Sequence, residues 1–313
     1  MSKYAFGVDI GGTSIKLGLF DKYGYILDKW EIPTNTDNEG SAILPDAAQS
    51  IQDKMQEKGI AKADVMGVGI CVPGPVDGEG NINCAVNLNW GKFNVPKVFT
   101  AYLDVPVKVG NDANVAAYGE MWQGGGKGCK NMVMVTLGTG VGGGIINGGE
   151  ILNGFNGCGG EIGHIHIQDG ETEPCGCKNY GCLEQYTSAT GIVRLAKRRL
   201  AKDDAPSVLR NGEISAKTVF DGVKAGDKVA IEVAEQFGDY LGKGLAIISA
   251  VVNPEVFVIG GGVSKAGGVL FEYIRPAYLK YAFHGTRDVR LALATLGNDA
   301  GIVGAAGIVL NED

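Results

Sequence analysis

The chain has 313 residues, 45% hydrophobic and 20% charged, the composition of a folded globular protein, and its 51 glycines follow no collagen-like period. Glycine plus proline stays below the low-complexity range, which excludes disorder, and the length allows one large or two medium domains with full cores. A net charge of −7 supplies no basic field for nucleic acid or an anionic bilayer.

The opening MSKYAFGVDIGG has neither the basic start nor the long apolar run of a signal peptide. No apolar stretch is long enough to span a membrane, so the expectation is a soluble, cytoplasmic protein. Ala5–Ile10 reads as an apolar strand, Gly11-Gly12-Thr13 as a glycine turn, and Ile15–Phe20 as the returning strand of a hairpin. Helical spacing runs from Pro45 to Lys58. Val65–Ile70 reads as a buried strand entering the turn-rich Val72-Pro73-Gly74-Pro75. Val105–Val109 reads as a strand ending at Gly110-Asn111-Asp112, before a helix over Ala113–Trp122.

Met132–Leu137, the glycine run Gly138–Gly144 and Ile145-Ile146 then repeat the opening pattern, which suggests a duplicated domain. Helices are expected around Glu184–Leu200 and Ser215–Lys224, with a long helical stretch over Lys228–Val251. Pro254 precedes a strand over Val256–Ile259, the last strand is Val289–Thr295, and Ala300–Leu310 forms a final helix. Gly124-Gly125-Gly126 marks the boundary between a first lobe over 1–123 and a second over 124–298. The C-terminal helix, about 299–313, is expected to pack back on the first lobe. Strands alternating with helices predict an α/β protein with sheets buried on both faces.

Three glycine-rich turns each follow a strand, at Asp9–Thr13, Gly138–Gly144 and Gly260–Gly262. Backbone N–H groups left uncovered by side chains form anion-binding concavities, so three such turns point to nucleotide phosphates; the alternative is purely structural turns. None matches GxxxxGK[ST], and the first leads into a strand rather than a helix, which argues against a dinucleotide fingerprint. Asp9, at the mouth of the first turn, suits Mg²⁺ held through water, or else caps the turn. Asn111-Asp112 also has two readings: a helix N-cap, or a carboxylate placed to take a proton from an attacking hydroxyl.

Glu161-Ile162-Gly163-His164 precedes Cys175-Gly176-Cys177 and Cys182, and Glu184 follows. Three thiols and an imidazole match a closed tetrahedral zinc site, and the alternative is a reduced thiol cluster or a redox-sensitive pair. His166 competes with His164, and nothing local separates them. His284 is expected at the surface or in helix packing. Cys71, Cys84, Cys129 and Cys158 are expected as small buried hydrophobes.

The segments GVDIGGTSIKLGLF, Asn111-Asp112, TLGTGVGGGII, EIGH, CGCKNYGCLE and VIGGGVS stand in the order found in ROK-family sugar kinases. The chain resembles that family from Gly7 to about Gly307, and VPGPVDGEGNINCAVNLNW is most similar to its bacterial glucokinases. The resemblance implies a duplicated actin/hexokinase-like (ribonuclease H-like) ATPase fold with two lobes around a cleft. It implies ATP-dependent phosphorylation of the glucose 6-hydroxyl, with Mg²⁺ and a structural Zn²⁺. Asp112 would be the catalytic base and, with Gly74, Asn87, Asn111, Glu161, His164 and Glu184, would meet the sugar. Gly11, Gly12, Thr13, Gly138, Thr139 and Gly140 would cradle the ATP phosphates, with Asp9 and Lys16 nearby and Gly261 and Gly262 beside adenosine. His164, Cys175, Cys177 and Cys182 would hold zinc.

Two positions depart from the family pattern: Ser14, where lysine is frequent, and Lys178, where glycine is frequent. Another hexose or an N-acylhexosamine (N-acetylmannosamine, N-acetylglucosamine, allose or fructose) is the alternative acceptor. A sugar-responsive repressor is disfavoured by the six residues before Gly7 and the acidic charge, and a non-catalytic sensor by Asp112. The expected state is a homodimer without nucleic-acid or membrane partners.

Overall fold

The structure, a computed structural model, describes residues 3–311. Residues 1–2 and 312–313, counted above in the first lobe and the C-terminal segment, lie outside the described residues. Strands β1 (Tyr4–Ile10), β2 (Ser14–Asp21) and β3 (Ile26–Pro33) form an antiparallel meander. The turn α1 (Asp37–Gly40), helix α2 (Ile43–Lys58) and strand β4 (Val65–Val72) follow. Next come the short strands β5 (Asn81–Ile82) and β6 (Phe93–Asn94), α3 (Val95–Thr100), β7 (Val107–Asn111) and α4 (Asp112–Gln123). A second series runs β8 (Met132–Leu137), β9 (Val141–Asn147) and β10 (Glu150–Ile151), then α5 (Glu184–Thr187), α6 (Ala189–Leu200), α7 (Ala216–Lys224) and α8 (Lys228–Val252). It closes with β11 (Val256–Gly260), α9 (Val269–Tyr281), β12 (Arg290–Leu293) and α10 (Ala300–Leu310).

The two five-stranded sheets run β3-β2-β1-β4-β7 and β10-β9-β8-β11-β12. Numbered by chain order within each sheet, both read third, second, first, fourth, fifth. The repeat seen at the level of glycine turns therefore extends to whole sheets. In each, the first, fourth and fifth strands run parallel.

The chain divides into two compact units: residues up to Gly128 with Gly144–Gly160 and Leu296 onward, and Cys129–Gly143 with Glu161–Thr295. Residues 144–160, expected with the second lobe, lie in the first unit, where Gly144 abuts Ala113 and Ala117 of α4. Among the described residues, no helix is long and apolar enough to cross a membrane.

Alternation sorts β1 and β4 into two faces. Phe6, Val8 and Ile10 with Val68, Ile70 and Val72 join the core that includes Ile43, Ala47 and Ile51 of α2 and Phe99 of α3. The opposite face carries Ala5, Gly7 and Asp9 beside Gly67, Gly69 and Cys71 in parallel register. On this face lies α10, with backbone against backbone. A Cβ at Gly69 would collide with the Ala305 carbonyl, and one at Gly304 would collide with the Val115 carbonyl of α4. Part of the glycine excess is thus a demand for close approach.

Other elements differ from the sequence reading. β3 and α9 had no counterpart in it, because β3 is an exposed edge strand and α9 carries Pro276 in its interior. The helix expected over Glu184–Leu200 is two helices, since Ser188 is extended and its side chain caps α6 through Gly191 N–H. The strand expected at Val105 starts at Val107, past Pro106, whose carbonyl accepts from Val68 N–H. Of the four scattered cysteines only Cys71 is buried; Cys129 is partly exposed, and Cys84 and Cys158 are exposed on loops outside the sheets. His284 lies exposed in a short turn against Phe283.

Gly69→Ala is expected to lower stability by about 1–3 kcal/mol or more, because the added carbon must displace backbone. Gly78→Ala, with open space at its Cβ position, should stay within about 0.5 kcal/mol. Denaturant midpoints of the two variants check this.

Candidate active site and metal centre

In the first unit the hairpin between β1 and β2 closes when Gly11 N–H donates to the Ser14 carbonyl at 3.0 Å. Thr34, just past β3, grips the turn from outside, its N–H on the Thr13 carbonyl and its hydroxyl on the Gly11 carbonyl at 2.7 Å. A Cβ at Gly12 would stand 3.3 Å from the Asn87 carbonyl oxygen. Gly74 has a φ of +106°, and a Cβ there would lie 2.5 Å from the Cys84 carbonyl oxygen. The first glycine turn, the loop after β4 and the turn at Val86–Leu88 therefore meet. Lys16 pairs with Asp9 across the β1–β2 ladder.

Of the two readings of Asn111-Asp112, the N-cap falls on Asn111. Asn111 is the N-cap of α4: its Oδ1 accepts from the N–H groups of Ala113 (3.0 Å) and Asn114 (3.2 Å). Its amide donates to the Gly74 carbonyl at 3.1 Å and to Asp112 Oδ1 at 3.0 Å, so its hydrogen-bonding capacity is filled. Asp112 Oδ1 also accepts from Ala113 N–H at 2.8 Å. Its Oδ2 takes no hydrogen bond from the described residues. Asp112 remains open to solvent at the helix start. Surrounding protein nevertheless strips part of its hydration, and the charge of Asp9 adds to this, raising its carboxyl above the usual 3.8 against the pull of the Ala113 N–H. Buried Cys71 donates to Asp9 Oδ1 at 3.2 Å.

In the second unit Gly138 N–H donates to the Gly140 carbonyl at 3.0 Å. The first turn of α6 fixes this loop, with Ala189 N–H on the Gly138 carbonyl at 2.8 Å and the Thr190 hydroxyl on the Thr139 carbonyl at 2.9 Å. Glu184 Oε2 accepts from Val141 N–H at 2.9 Å and lies so near Gly140 that a Cβ there would collide with it. The third turn abuts the end of β8: Gly261 has a φ of +80°, and a Cβ on it would sit 2.5 Å from the Leu137 carbonyl oxygen. A cavity of about 190 Å³ beside Gly262 is lined by Val263, Ala216, Phe220 and Lys217.

His164, Cys175, Cys177 and Cys182 bring their ligand atoms within 4.8 Å of one another. His164 Nδ1 lies 3.8 Å from Cys175 Sγ, and Cys177 Sγ lies 3.6 Å from Cys182 Sγ. Tetrahedral zinc, with bonds of about 2.3 Å to sulfur and about 2.0 Å to nitrogen, sets its ligand atoms roughly 3.6–3.8 Å apart. The residues fit that ion. His164 Nε2 lies on the side of Glu161, 4.0 Å from its carboxylate. His166 is engaged elsewhere, on the Tyr180 carbonyl (2.9 Å) and Asp169 (2.8 Å). Glu184 Oε1 stands 3.4 Å from Cys175 Sγ, so this carboxylate joins the second glycine turn to the thiol cluster.

The loop carrying the cysteines is held by residues the sequence reading passed over. Buried Gln185 accepts from Cys182 N–H at 3.1 Å and donates to the Glu173 carbonyl at 2.9 Å. The Glu171 side chain, 3% exposed, takes two hydrogen bonds of 3.0 Å from Arg198 and one from the Tyr186 hydroxyl. Arg194 and Arg198 also hold Glu173. No local signal in the sequence marks these residues.

The ROK family model matches residues 5–312, so the chain belongs to the ROK family. It is 41% identical to the glucokinase of Halalkalibacterium halodurans over 99% of this chain and 96% of that one. A ROK hexokinase from Thermus thermophilus is similar in structure, with a TM-score of 0.80 and 31% identity over 97% of this chain and 96% of that one. A ROK-family glucokinase from Streptomyces griseus, solved with glucose and AMPPNP, gives a TM-score of 0.72 at 33% identity over 97% and 98%. The fold is the actin/hexokinase-like fold of ROK sugar kinases.

Arg198 holds Glu171 ionised well below the usual 4.5. A carboxyl lowered in the folded state stabilises the protein above its unfolded value and loses that contribution as pH falls through the folded one. Glu171→Gln is therefore expected to cost about 2 kcal/mol near neutral pH. The deficit should shrink as pH drops below the unfolded value of 4.5, as measured by denaturation at several pH values.

Proposed function

We propose that this chain is an ATP-dependent glucokinase that phosphorylates the 6-hydroxyl of glucose, with Asp112 as general base. One observation carries the assignment of the base: Asp112 Oδ1 is fixed by two donors while Oδ2 is left open. The glucokinase relatives and the glucose-bound neighbour support the reaction class and the substrates. Oδ2 takes the proton of the sugar hydroxyl as that oxygen attacks the γ-phosphorus and the bond to the β–γ bridging oxygen breaks, releasing ADP. Crowding by protein lifts the affinity of Asp112 for a proton, which suits a base acting on an alcohol.

In the first unit Gly11, Gly12 and Thr13 offer backbone N–H groups to phosphate oxygens, with Lys16 nearby, and Gly74 and Asn87 meet sugar hydroxyls. Asn111 serves the sugar through Asp112, which it braces. In the second unit Gly138, Thr139 and Gly140 form the other phosphate turn, Gly261 and Gly262 lie beside adenosine, and Glu161, His164 and Glu184 take sugar hydroxyls. Asp9 would hold Mg²⁺, which would supply charge neutralisation for the nucleotide phosphates. His164 and the three cysteines would hold zinc, and four protein ligands would give it a structural role. His164, with Nδ1 among the thiols and Nε2 on the side of Glu161, would offer Nε2 to the sugar. The protein acts in the cytoplasm as a homodimer without nucleic-acid or membrane partners.

Asp112→Asn is expected to fold and bind glucose by calorimetry but to lose about 10²–10⁴ in kcat. In the wild type the acid limb of kcat/KM should lie above the usual carboxylate value of 3.8. A coupled ADP-release assay over hexoses and N-acylhexosamines should rank glucose first; a better acceptor would overturn the substrate. Cys177→Ser is expected to lose zinc by elemental analysis and to raise the KM for glucose far more than that for ATP. An unchanged glucose KM in the zinc-free variant would separate the metal from the sugar site.

A further inference from the structure

We propose that Cys71 is a positioning residue, its thiol holding the Asp9 carboxylate in the orientation that receives the magnesium–nucleotide complex; this rests on the role given to Asp9 above. The two residues stand side by side in the parallel register of β1 and β4 and on the same face. The sulfur lies 3.2 Å from Asp9 Oδ1. Cys71 is fully buried and packed with Val115 of α4 and Ala305 of α10, and Asp9 is the group its thiol hydrogen-bonds. The other carboxylate oxygen is confined as well, since a Cβ on Gly301 would stand 2.6 Å from Oδ2.

A donor at this point has work to do. Asp9 and Asp112 carry like charges close enough to act on each other. Two carboxylates so placed repel, and a free Asp9 side chain would relax by rotating away. The thiol opposes that rotation without adding charge, and a small side chain is what the space under α10 admits. An apolar residue at 71 would fill the volume and leave Oδ1 without its partner, whereas serine keeps a donor at the same place.

The test uses the full-length protein with Cys71→Ala, Cys71→Val, Cys71→Ser and, as reference, Asp9→Asn, each checked for a cooperative thermal transition. Calorimetry measures binding of Mn²⁺·AMPPNP, and steady-state kinetics separate the KM for Mg·ATP from that for glucose. Loss of one hydrogen bond predicts binding weakened about 3–10-fold in Cys71→Ala and Cys71→Val, with a matching rise in the Mg·ATP KM. The glucose KM and the Mn²⁺·AMPPNP affinity of Cys71→Ser should both stay within about twofold of wild type. Wild-type binding by Cys71→Val together with weakened binding by Cys71→Ser would mean that 71 is a packing position, and would overturn the proposal. Weakened Asp9→Asn beside unaffected Cys71→Ala and Cys71→Val would overturn it alone. An Asp9→Asn variant that binds like wild type would overturn the role of Asp9 and the proposal together.

Discussion

Backbone contact between α10 and the small-residue face of β1 and β4 sets the frame of the first unit. Gly7 and Gly69 stand in register under the helix, and Gly304 receives the backbone of α4 from the other side. One helix therefore touches both central strands and α4 at separations that leave no room for a Cβ at Gly7, Gly69 or Gly304. Asp9 closes the small-residue series on β1, and Asp112 opens α4. The two carboxylates of the candidate site are thus held by elements that share one rigid contact. Any side chain inserted there would move the helix and change their separation, because a close-packed interior has no slack to absorb it.

Carboxylates in both units have one oxygen tied to a backbone N–H and the other left for a different neighbour or for solvent. Asp112 gives one oxygen to the Asn111 amide and the Ala113 N–H, and keeps the other open. Glu184 gives one to Val141 N–H and turns the other toward Cys175. A side chain with one end tied to backbone cannot rotate freely, so its second oxygen is presented at a fixed place. Such preorganisation matters for a reaction in which positioning and electrostatics do nearly all the work.

The cysteine loop poses a different problem, because it runs from Ile165 to Leu183 with almost no regular secondary structure. Backbone bonds within the loop, such as Ile167 N–H to Gly181 and Cys175 N–H to Asn179, satisfy part of its main chain, and side chains add the rest of its anchoring. Gln185 does so at Cys182 and Glu173, and Glu171 is drawn beneath the surface by Arg198 and Tyr186. A buried carboxylate is tolerable only with such partners. The resulting clamp fixes the loop to α6 whatever the cluster holds.

Much of this was written locally in the chain. The glycine turns, the alternating apolar strands, the Asn111-Asp112 pair at a strand-to-helix junction and the spacing of three thiols each act over a few residues, so they could be picked out there as candidates. The repeated strand–turn–strand pattern even announced the duplication that the matching strand orders display. What the sequence could not decide were contacts between residues far apart in the chain: His164 rather than His166 in the cluster, the Asn111 amide on the Gly74 carbonyl, and Cys71 beside Asp9. Nor could it foresee β3 or α9, where an exposed edge and an internal proline weaken the local signal. Those outcomes depend on which side chains fill one another's hydrogen-bonding capacity once strands pair and helices dock. Such pairing is fixed only when packing brings the partners together, because the same side chains in an extended chain would bond to water.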